Sequence, residues 1–177
     1  MKAFVVYESM YGNTAAIAEA IGRGLTQLGM EASVVPFDRL PAEQVVDADL
    51  LIVGAPTHGH GLSHKTTRES ARTDEKNAYD EPSPEPGLRE WLHELPEGAA
   101  RPACAFDTRL HGPTLFTGSA AKGITDRLED LGFQIAAPPE SFFVTKDNAL
   151  VDGEEARAQA WAAETAQLLE IVLETPE

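Results

Sequence analysis

The chain alternates between short apolar runs and amphipathic stretches, and this alternation constrains its fold more than any other feature. The runs "KAFVVY" (2–7) and "DLLIVGAP" (49–56) are almost entirely apolar. Such runs are expected of parallel strands that are covered on both faces. Three further strands are predicted in "EASVVPF" (31–37), in "RPACAFDT" (101–108) and in "FQIAAPPESFFVT" (133–145). Pro36 favours a sheet edge for the second strand, and Pro138 and Pro139 are expected to interrupt the fifth.

Helical periodicity lies between the predicted strands. Residues 14–28 and 118–132 each carry an apolar stripe and end at a glycine. "PAEQVVDA" (41–48) is interpreted as a short helix opened by Pro41, "LREWLHEL" (88–95) as a helix, and the C-terminal stretch as a long helix with Asp152 as its N-cap. The stripes consist of Ile17, Ile21, Leu25 and Leu28 in the first helix and of Ala121, Ile124, Leu128 and Leu131 in the later one.

Strands that alternate with helices predict a three-layer, doubly wound α/β fold with a five-stranded parallel sheet. A length of 177 residues with 42% hydrophobic content fits one core, so a single domain over 1–177 is expected. A polar, proline-containing excursion interrupts it at about 61–87. Ligands of such sheets bind outside the carboxyl ends of the strands, so the loops after the first, third and fourth strands are the candidate site.

Charge and cysteine content narrow the partners and the compartment. A formal net charge of −15 disfavours nucleic acid, and it either attracts basic protein partners or serves solubility alone. The single cysteine, Cys104, lies in the apolar run "ACAF", which indicates a buried structural thiol and fits a reducing cytoplasm. Since Met1 leads directly into the first strand, neither a signal peptide nor a membrane span is expected.

The loop after the first strand has the composition of a phosphate site. Its candidate binding residues are Ser9, Met10, Tyr11, Gly12, Asn13 and Thr14. Gly12 can adopt a positive φ, successive backbone N–H groups can point into the loop, and the helix that follows presents its positive end. The loop has no lysine or arginine, which suits a monophosphate better than a triphosphate with Mg²⁺. The alternative is an empty turn capped by Asn13 or Thr14.

"YESMYGNT" (7–14) resembles the FMN phosphate loop of the flavodoxin family, and Tyr11 resembles a feature of the NAD(P)H:quinone oxidoreductases that share this fold. The resemblance covers nearly the whole chain in the order of its elements. It implies the strand order 2-1-3-4-5 with FMN at the switch point, a rule for which flavodoxin is itself a standard example. FMN is therefore the expected cofactor.

The same resemblance assigns the two other loops to the flavin ring. One face would contact Pro56, Thr57, His58, Gly59, His60 and Gly61, and the other would contact Asp107, Thr108, Arg109, Leu110, His111 and Gly112. Family members commonly stack an aromatic side chain from each loop on the ring, whereas this chain offers histidines and a leucine. The loss of two stacking contacts predicts an FMN affinity weaker by a factor of roughly ten or more. Arg109 is expected either to face the flavin or to pair with an acidic neighbour.

Two other site types use similar residues. "HGHGLSH" (58–64) is superficially similar to the H-x-H-x-D-H metal motif of metallo-β-lactamase-type hydrolases, but Leu62 stands where that motif needs its aspartate. A receiver domain would need an aspartate at the end of the third strand, where the chain has Gly54-Ala55-Pro56-Thr57. Neither type is favoured.

The sequence thus predicts an FMN-binding, flavodoxin-like electron-transfer protein of the cytoplasm. Its expected partner is a basic redox protein such as a flavodoxin or ferredoxin reductase, with no nucleic acid and no membrane. The alternatives are an FMN-dependent NAD(P)H:quinone oxidoreductase, a flavodoxin-fold protein without flavin, and a metal site on the histidine loop. No residue is assigned a catalytic role.

Overall fold

A computed structural model of the chain describes residues 1–58, 61–75, 77–80, 82–113 and 117–174, with side chains of the last helix described up to Leu169. The strands lie in the order β2 (Glu31–Pro36), β1 (Lys2–Tyr7), β3 (Leu50–Pro56) and β4 (Pro102–Leu110). The next position is shared by β5 (Gln134–Ile135) and β6 (Glu140–Val144), which both pair with β4. All pairings are parallel. The predicted order and the interruption at Pro138 and Pro139 are confirmed.

Five α-helices connect and cover these strands. They are α1 (Asn13–Gln27), α2 (Lys65–Thr73), α3 (Leu88–Glu94), α4 (Ala120–Asp130) and α5 (Glu154–Glu174), among the described residues. The short helix predicted at 41–48 is instead a 3-10 helix, Ala42–Asp47, and Pro41 precedes it. Asp152 is not the N-cap of α5, because that helix begins at Glu154, after a turn at Gly153 with φ 89°. Leu28 lies just beyond α1 and is exposed, because the helix ends at Gln27.

The apolar side chains divide between the two faces of the sheet. In β1, Ala3 and Val5 pack with α1 and α5, whereas Phe4 and Val6 pack with α3 and α4. This alternation produces the predicted three layers, because successive strand residues point to opposite faces. Cys104 is fully buried on the α1 and α5 side, and burial raises the pKa of its thiol to about 12. The prediction of a buried structural thiol is therefore confirmed.

The parallel register brings the carboxyl ends of the strands to one edge of the sheet. Tyr7 of β1 is paired with Gly54 of β3, and Pro56 of β3 is paired with Thr108 of β4. The loops that follow β1 and β3 therefore emerge side by side, next to the last residues of β4. At the far edge, β2 pairs with β1 alone among the described strands, in agreement with the edge position predicted from Pro36. None of the described helices is both long and apolar enough to cross a membrane.

Candidate cofactor site

A cavity of about 190 Å³ opens where the loops at the carboxyl ends of β1, β3 and β4 meet. Val144 and Asn148, from the end of β6 and the loop after it, also line this cavity and were not predicted. Ten of the residues that the sequence predicts for the site line it: Met10, Tyr11, Asn13, Thr14, Pro56, Thr57, His58, Thr108, Arg109 and Leu110.

The remaining predicted residues lie beside the cavity or outside the described part of the chain. Gly59 and His60 lie outside the described part of the chain. Those not lining the cavity are Ser9, Gly12, Gly61, Asp107, His111 and Gly112. His111 has a different neighbour, since its ring packs edge-on against Phe143 with 4.7 Å between the centroids.

Asp107 lies within β4, which continues to Leu110, and it does not line the cavity. The carboxylate is fully buried. Its Oδ2 accepts hydrogen bonds from the Ser119 hydroxyl at 2.7 Å, from the Ala121 N–H at 3.0 Å and from the Thr57 hydroxyl at 3.1 Å. Asp107 therefore joins the start of α4 to the loop after β3, a role that differs from the ligand contact expected of it.

The loop after β1 presents backbone donors that have no protein acceptor. Gly12 precedes α1 as its N-cap with φ 86° and makes no side-chain cap, and in the first turn the Ala15 N–H donates to the Ser9 hydroxyl at 3.3 Å. Within the described residues, the backbone N–H groups of Tyr11, Gly12, Asn13 and Thr14 donate to no protein atom. These donors lie at the positive end of α1, which is the arrangement that binds phosphate groups.

The side chains of the two predicted caps of α1, Asn13 and Thr14, make hydrogen bonds to other segments. The Asn13 side-chain amide donates to the Asn148 carbonyl at 2.9 Å, and the hydroxyls of Thr14 and Thr108 lie 2.8 Å apart. The alternative of a turn capped by Asn13 or Thr14 is therefore wrong, because neither side chain bonds the helix N–H groups. The loop instead gains its shape from contacts with distant segments.

His58 contributes a buried nitrogen without a hydrogen-bond partner. Its backbone N–H and carbonyl bond those of Gly61 at 2.9 and 3.2 Å, which closes a tight turn. Within the described residues, Nε2 has no partner. Burial lowers the pKa of the imidazole, so His58 is neutral at neutral pH. Because a buried polar atom without a partner is costly, this nitrogen suits a ligand with a polar edge.

Arg109 brings a positive charge to the cavity while its guanidinium is held by protein oxygens. Nη1 donates to the Thr117 hydroxyl at 2.8 Å and to the Gly112 carbonyl at 2.9 Å, and Nε donates to the Ser141 hydroxyl at 2.9 Å. Nε also lies 3.9 Å from Oδ1 of Asp107. The expected acidic neighbour is therefore present, and the expected contact of Arg109 with the flavin stays a prediction that its place in the lining allows.

Taken together, these groups fit FMN. The unpartnered N–H groups of the loop suit one phosphate, and the cavity beside them combines hydroxyls, the neutral His58 and the cationic Arg109. Of the described lining residues, Tyr11 is the one with a phenol ring, and it lies on the loop after β1, so neither loop assigned to the flavin ring brings a phenol or indole ring to this lining.

A metal site on the histidine loop (58–64) was one of the predicted alternatives. Over the described residues, no group of three or more histidine, cysteine, aspartate or glutamate side chains could hold a metal ion. His64 is exposed and precedes α2 as its N-cap.

The polar excursion brings side chains to the site that the sequence analysis missed. It contains α2, and Tyr79 from its later part packs against Gly12. A Cβ atom on Gly12 would lie 3.0 Å from Cδ2 of Tyr79. The isolated tyrosine of "NAYDEP" (77–82) was a weak signal, because one aromatic in a polar loop has no periodicity.

The chain is similar in sequence to known proteins. A profile of the family described as Flavodoxin matches residues 5–161. Over 63 residues, or 33% of the chain, the sequence is 36% identical to the putative diflavin flavoprotein A 4 of Synechocystis, and the match covers 11% of that protein. The chain thus matches only a small part of its curated relatives.

Solved structures share the fold at low sequence identity. A flavodoxin from the domain Archaea is 20% identical with a TM-score of 0.67, over 96% of this chain and 99% of that one. Rubredoxin oxygen:oxidoreductase from Desulfovibrio gigas is 19% identical with a TM-score of 0.70, over 98% of this chain and 37% of that one. Because the family profile spans most of the sequence, this chain belongs to the flavodoxin family, a family of FMN-binding electron-transfer proteins.

Proposed function

We propose that this chain holds FMN in the 190 Å³ cavity and carries electrons between a basic reductase and an acceptor. The observation that carries the proposal is the set of unpartnered backbone N–H groups from Tyr11 to Thr14, at the positive end of α1. They form a site for one phosphate that needs no cationic side chain. The flavin would supply the redox chemistry, and the chain would supply binding, orientation and electrostatics.

Each part of the cavity has a separate task in this proposal. Residues 11–14 hold the phosphate, while the loop at Pro56–His58 and the end of β4 enclose the ring. Neutral His58 directs Nε2 to a polar edge of the ring, and the hydrogen bond that it gains removes the cost of its burial. Arg109 places a positive charge beside the ring and thereby favours additional negative charge there.

The charge of the chain supports a basic protein as its partner. A formal charge of −15 attracts a basic protein face and accelerates its encounter, and salt screens that attraction. A flavodoxin or ferredoxin reductase with a basic docking face has the required chemistry. The fully buried thiol of Cys104 is compatible with a reducing compartment, and we place the protein in the cytoplasm.

One observation favours a second candidate function, that of an FMN-dependent NAD(P)H:quinone oxidoreductase. A cavity of about 590 Å³ adjoins the candidate site, and the two share Tyr11 and Asn148 in their linings. Tyr11 and Tyr79 give the larger cavity two aromatic rings. Such a space could admit the second planar ring that a quinone or nicotinamide brings.

Flavin titration tests the cofactor proposal. The flavin-free protein is titrated with FMN, riboflavin and FAD while the quenching of flavin fluorescence is measured. FMN should bind far more tightly than riboflavin, because riboflavin lacks the phosphate. FAD should gain nothing from its second phosphate, since the loop offers one phosphate site. Equal affinity for FMN and riboflavin would contradict a phosphate site at residues 11–14.

Reduction kinetics separate the carrier from the enzyme. The FMN-loaded protein is mixed with NADPH alone, and then with NADPH and a ferredoxin-type reductase over a series of salt concentrations. A carrier is reduced slowly by NADPH alone and rapidly with the reductase, at a rate that falls as salt rises. Rapid and saturable quinone reduction by NADPH without the reductase would favour the second candidate, and Tyr79→Ala should then lower that rate.

A further inference from the structure

The excursion (61–87) packs against the loop that follows β1 and makes hydrogen bonds to successive residues of that loop. Ser83 and Ser9 exchange two hydrogen bonds: the Ser9 N–H donates to the Ser83 hydroxyl at 2.9 Å, and the Ser83 N–H donates to the Ser9 carbonyl at 2.9 Å. Both residues are buried. The pairing resembles a short piece of sheet ladder, with one hydroxyl in place of a carbonyl.

The next residues of the loop are held in the same way. The Asn77 side-chain amide donates to the carbonyl of Met10 and to that of Ala71 in α2, each at 2.9 Å. Asn77 therefore bridges the loop and the end of the helix. The Tyr11 hydroxyl donates to the Asp74 carboxylate at 3.1 Å. Contacts from the excursion thus reach three successive loop residues, Ser9, Met10 and Tyr11.

A buried ionic cluster fastens the excursion to the sheet just before this loop. Glu8 and Arg68 are 0% and 1% exposed. The Ser63 hydroxyl lies between them, since it donates to Glu8 Oε2 at 2.6 Å and accepts from Arg68 Nη1 at 2.9 Å. Glu8 Oε1 accepts from the Leu88 N–H at 3.1 Å and lies 3.9 Å from Arg68 Nη1. Glu8, the last residue before the phosphate loop, is thus bonded to the start of the excursion and to the first residue after its end.

Arg68 makes this attachment difficult to release. Its Nε and Nη2 donate to the two carboxylate oxygens of Glu85 at 2.7 and 2.8 Å, and Nη2 lies 3.6 Å from Glu90. Gly87 leaves the room that this arrangement needs, because a Cβ there would lie 2.2 Å from Arg68 Nη1. Separation of the excursion from β1 would take Ser63 and Arg68 away from Glu8, and breaking a buried pair of charged groups is strongly unfavourable.

We propose that the excursion is a clamp: Arg68 fixes it to Glu8, and Ser83 and Asn77 are the positioning residues through which it holds the loop in its phosphate-binding shape. The inference rests on the proposed function in so far as the ligand is the FMN phosphate. A loop that is held in its binding shape before the ligand arrives loses less conformational entropy on binding. The clamp therefore acts on the phosphate contribution to affinity and leaves the contacts of the flavin ring unchanged.

The test compares the binding of two flavins in five variants. Ser83→Ala removes the acceptor of the Ser9 N–H, and Asn77→Ala removes the donor to the Met10 carbonyl. Ser83→Thr keeps the hydroxyl and should rescue the first. Thr73→Ala is the matched control, since its hydroxyl bonds only carbonyls within α2. FMN and riboflavin affinities are measured by fluorescence quenching, and amide hydrogen exchange of residues 9–14 is measured in the flavin-free protein.

The clamp predicts a loss that is specific for phosphate. Ser83→Ala and Asn77→Ala should each weaken FMN binding by a factor of about 2 to 10, the range expected for one hydrogen bond, and leave riboflavin binding unchanged. Both should also accelerate exchange of the loop amides, whereas Ser83→Thr and Thr73→Ala should match the wild-type protein. Arg68→Met should give the same pattern if it folds, and the inference stands on Ser83 and Asn77 if it does not.

The two readouts separate this inference from the proposed function. An equal loss of FMN and riboflavin affinity, or loop exchange that stays at the wild-type rate in both alanine variants, would overturn the clamp. If wild-type protein binds FMN no better than riboflavin, the proposed function fails. In that case faster loop exchange in the two alanine variants would still support the clamp, and unchanged exchange would overturn it as well.

Discussion

Gly12→Ala should destabilise the flavin-free protein by about 2 kcal/mol through two effects that can be measured separately. Gly12 has φ 86°, a conformation in which an L-residue costs about 1–2 kcal/mol. The new Cβ would also lie 3.0 Å from Cδ2 and 3.4 Å from Cε2 of Tyr79, so the ring must move by a few tenths of an ångström. The second effect adds to the first, because the ring belongs to a segment held by several hydrogen bonds.

Gly29→Ala supplies the matched control for the conformational cost. Gly29 has φ 80°, but no described atom lies within 4 Å of its Cβ position. This variant should lose about 1–2 kcal/mol from conformation alone. The difference between the two losses of unfolding free energy therefore measures the contact with Tyr79. That difference should vanish when each substitution is made separately in a Tyr79→Ala background.

Urea unfolding of the flavin-free proteins measures both costs, provided that the slope m is the same in all variants. Gly12→Ala should lower the midpoint more than Gly29→Ala, and it alone should weaken FMN binding. If Gly12→Ala is no more destabilising than its control, Tyr79 does not resist the added methyl group. If it loses less than about 0.5 kcal/mol, the left-handed conformation at this turn is itself wrong.

Three further predictions follow from buried polar groups. Cys104 should resist thiol reagents in the folded protein and react only after unfolding, because burial raises its pKa to about 12; rapid labelling of the native state would contradict its burial. Burial also raises the pKa of Glu8, so the folded protein binds a proton at this carboxyl more tightly than the unfolded chain does. The stability that Glu8 contributes is therefore lost as the pH rises from the ordinary pKa of a glutamate through the raised pKa in the folded state. The free energy of unfolding of wild type minus that of Glu8→Gln should therefore decrease over this range, and an increase would refute the sign. Finally, Thr108→Val should cost about 1–3 kcal/mol by leaving the buried Thr14 hydroxyl without its partner, whereas the double variant with Thr14→Val should recover much of that loss in chemical denaturation.

The architecture of this protein follows from the pattern of apolar residues along its chain. The apolar runs predicted strands at β1, β3 and β4, and the stripe through Ile17, Ile21 and Leu25 predicted the buried face of α1. These predictions succeeded because burial on one or two faces imposes a period on the sequence, and a period can be read without knowing the partner. The loop at 9–14 was also recognisable, since its residues are contiguous and its donors are mostly backbone groups.

The contacts that complete the site depend on how distant segments pack in the folded protein. Asn13 bonds a residue 135 positions away, and Ser9 bonds one 74 positions away. Asp107 was predicted to lie on a ligand loop, yet it lies within β4 and its carboxylate accepts a hydrogen bond from the Ala121 N–H of α4. Arg68 appeared to belong to a solvated excursion, yet it is among the most buried side chains. Such polar contacts join single residues across the fold, so they leave no period in the sequence, and their partners are chosen by strand register and helix packing.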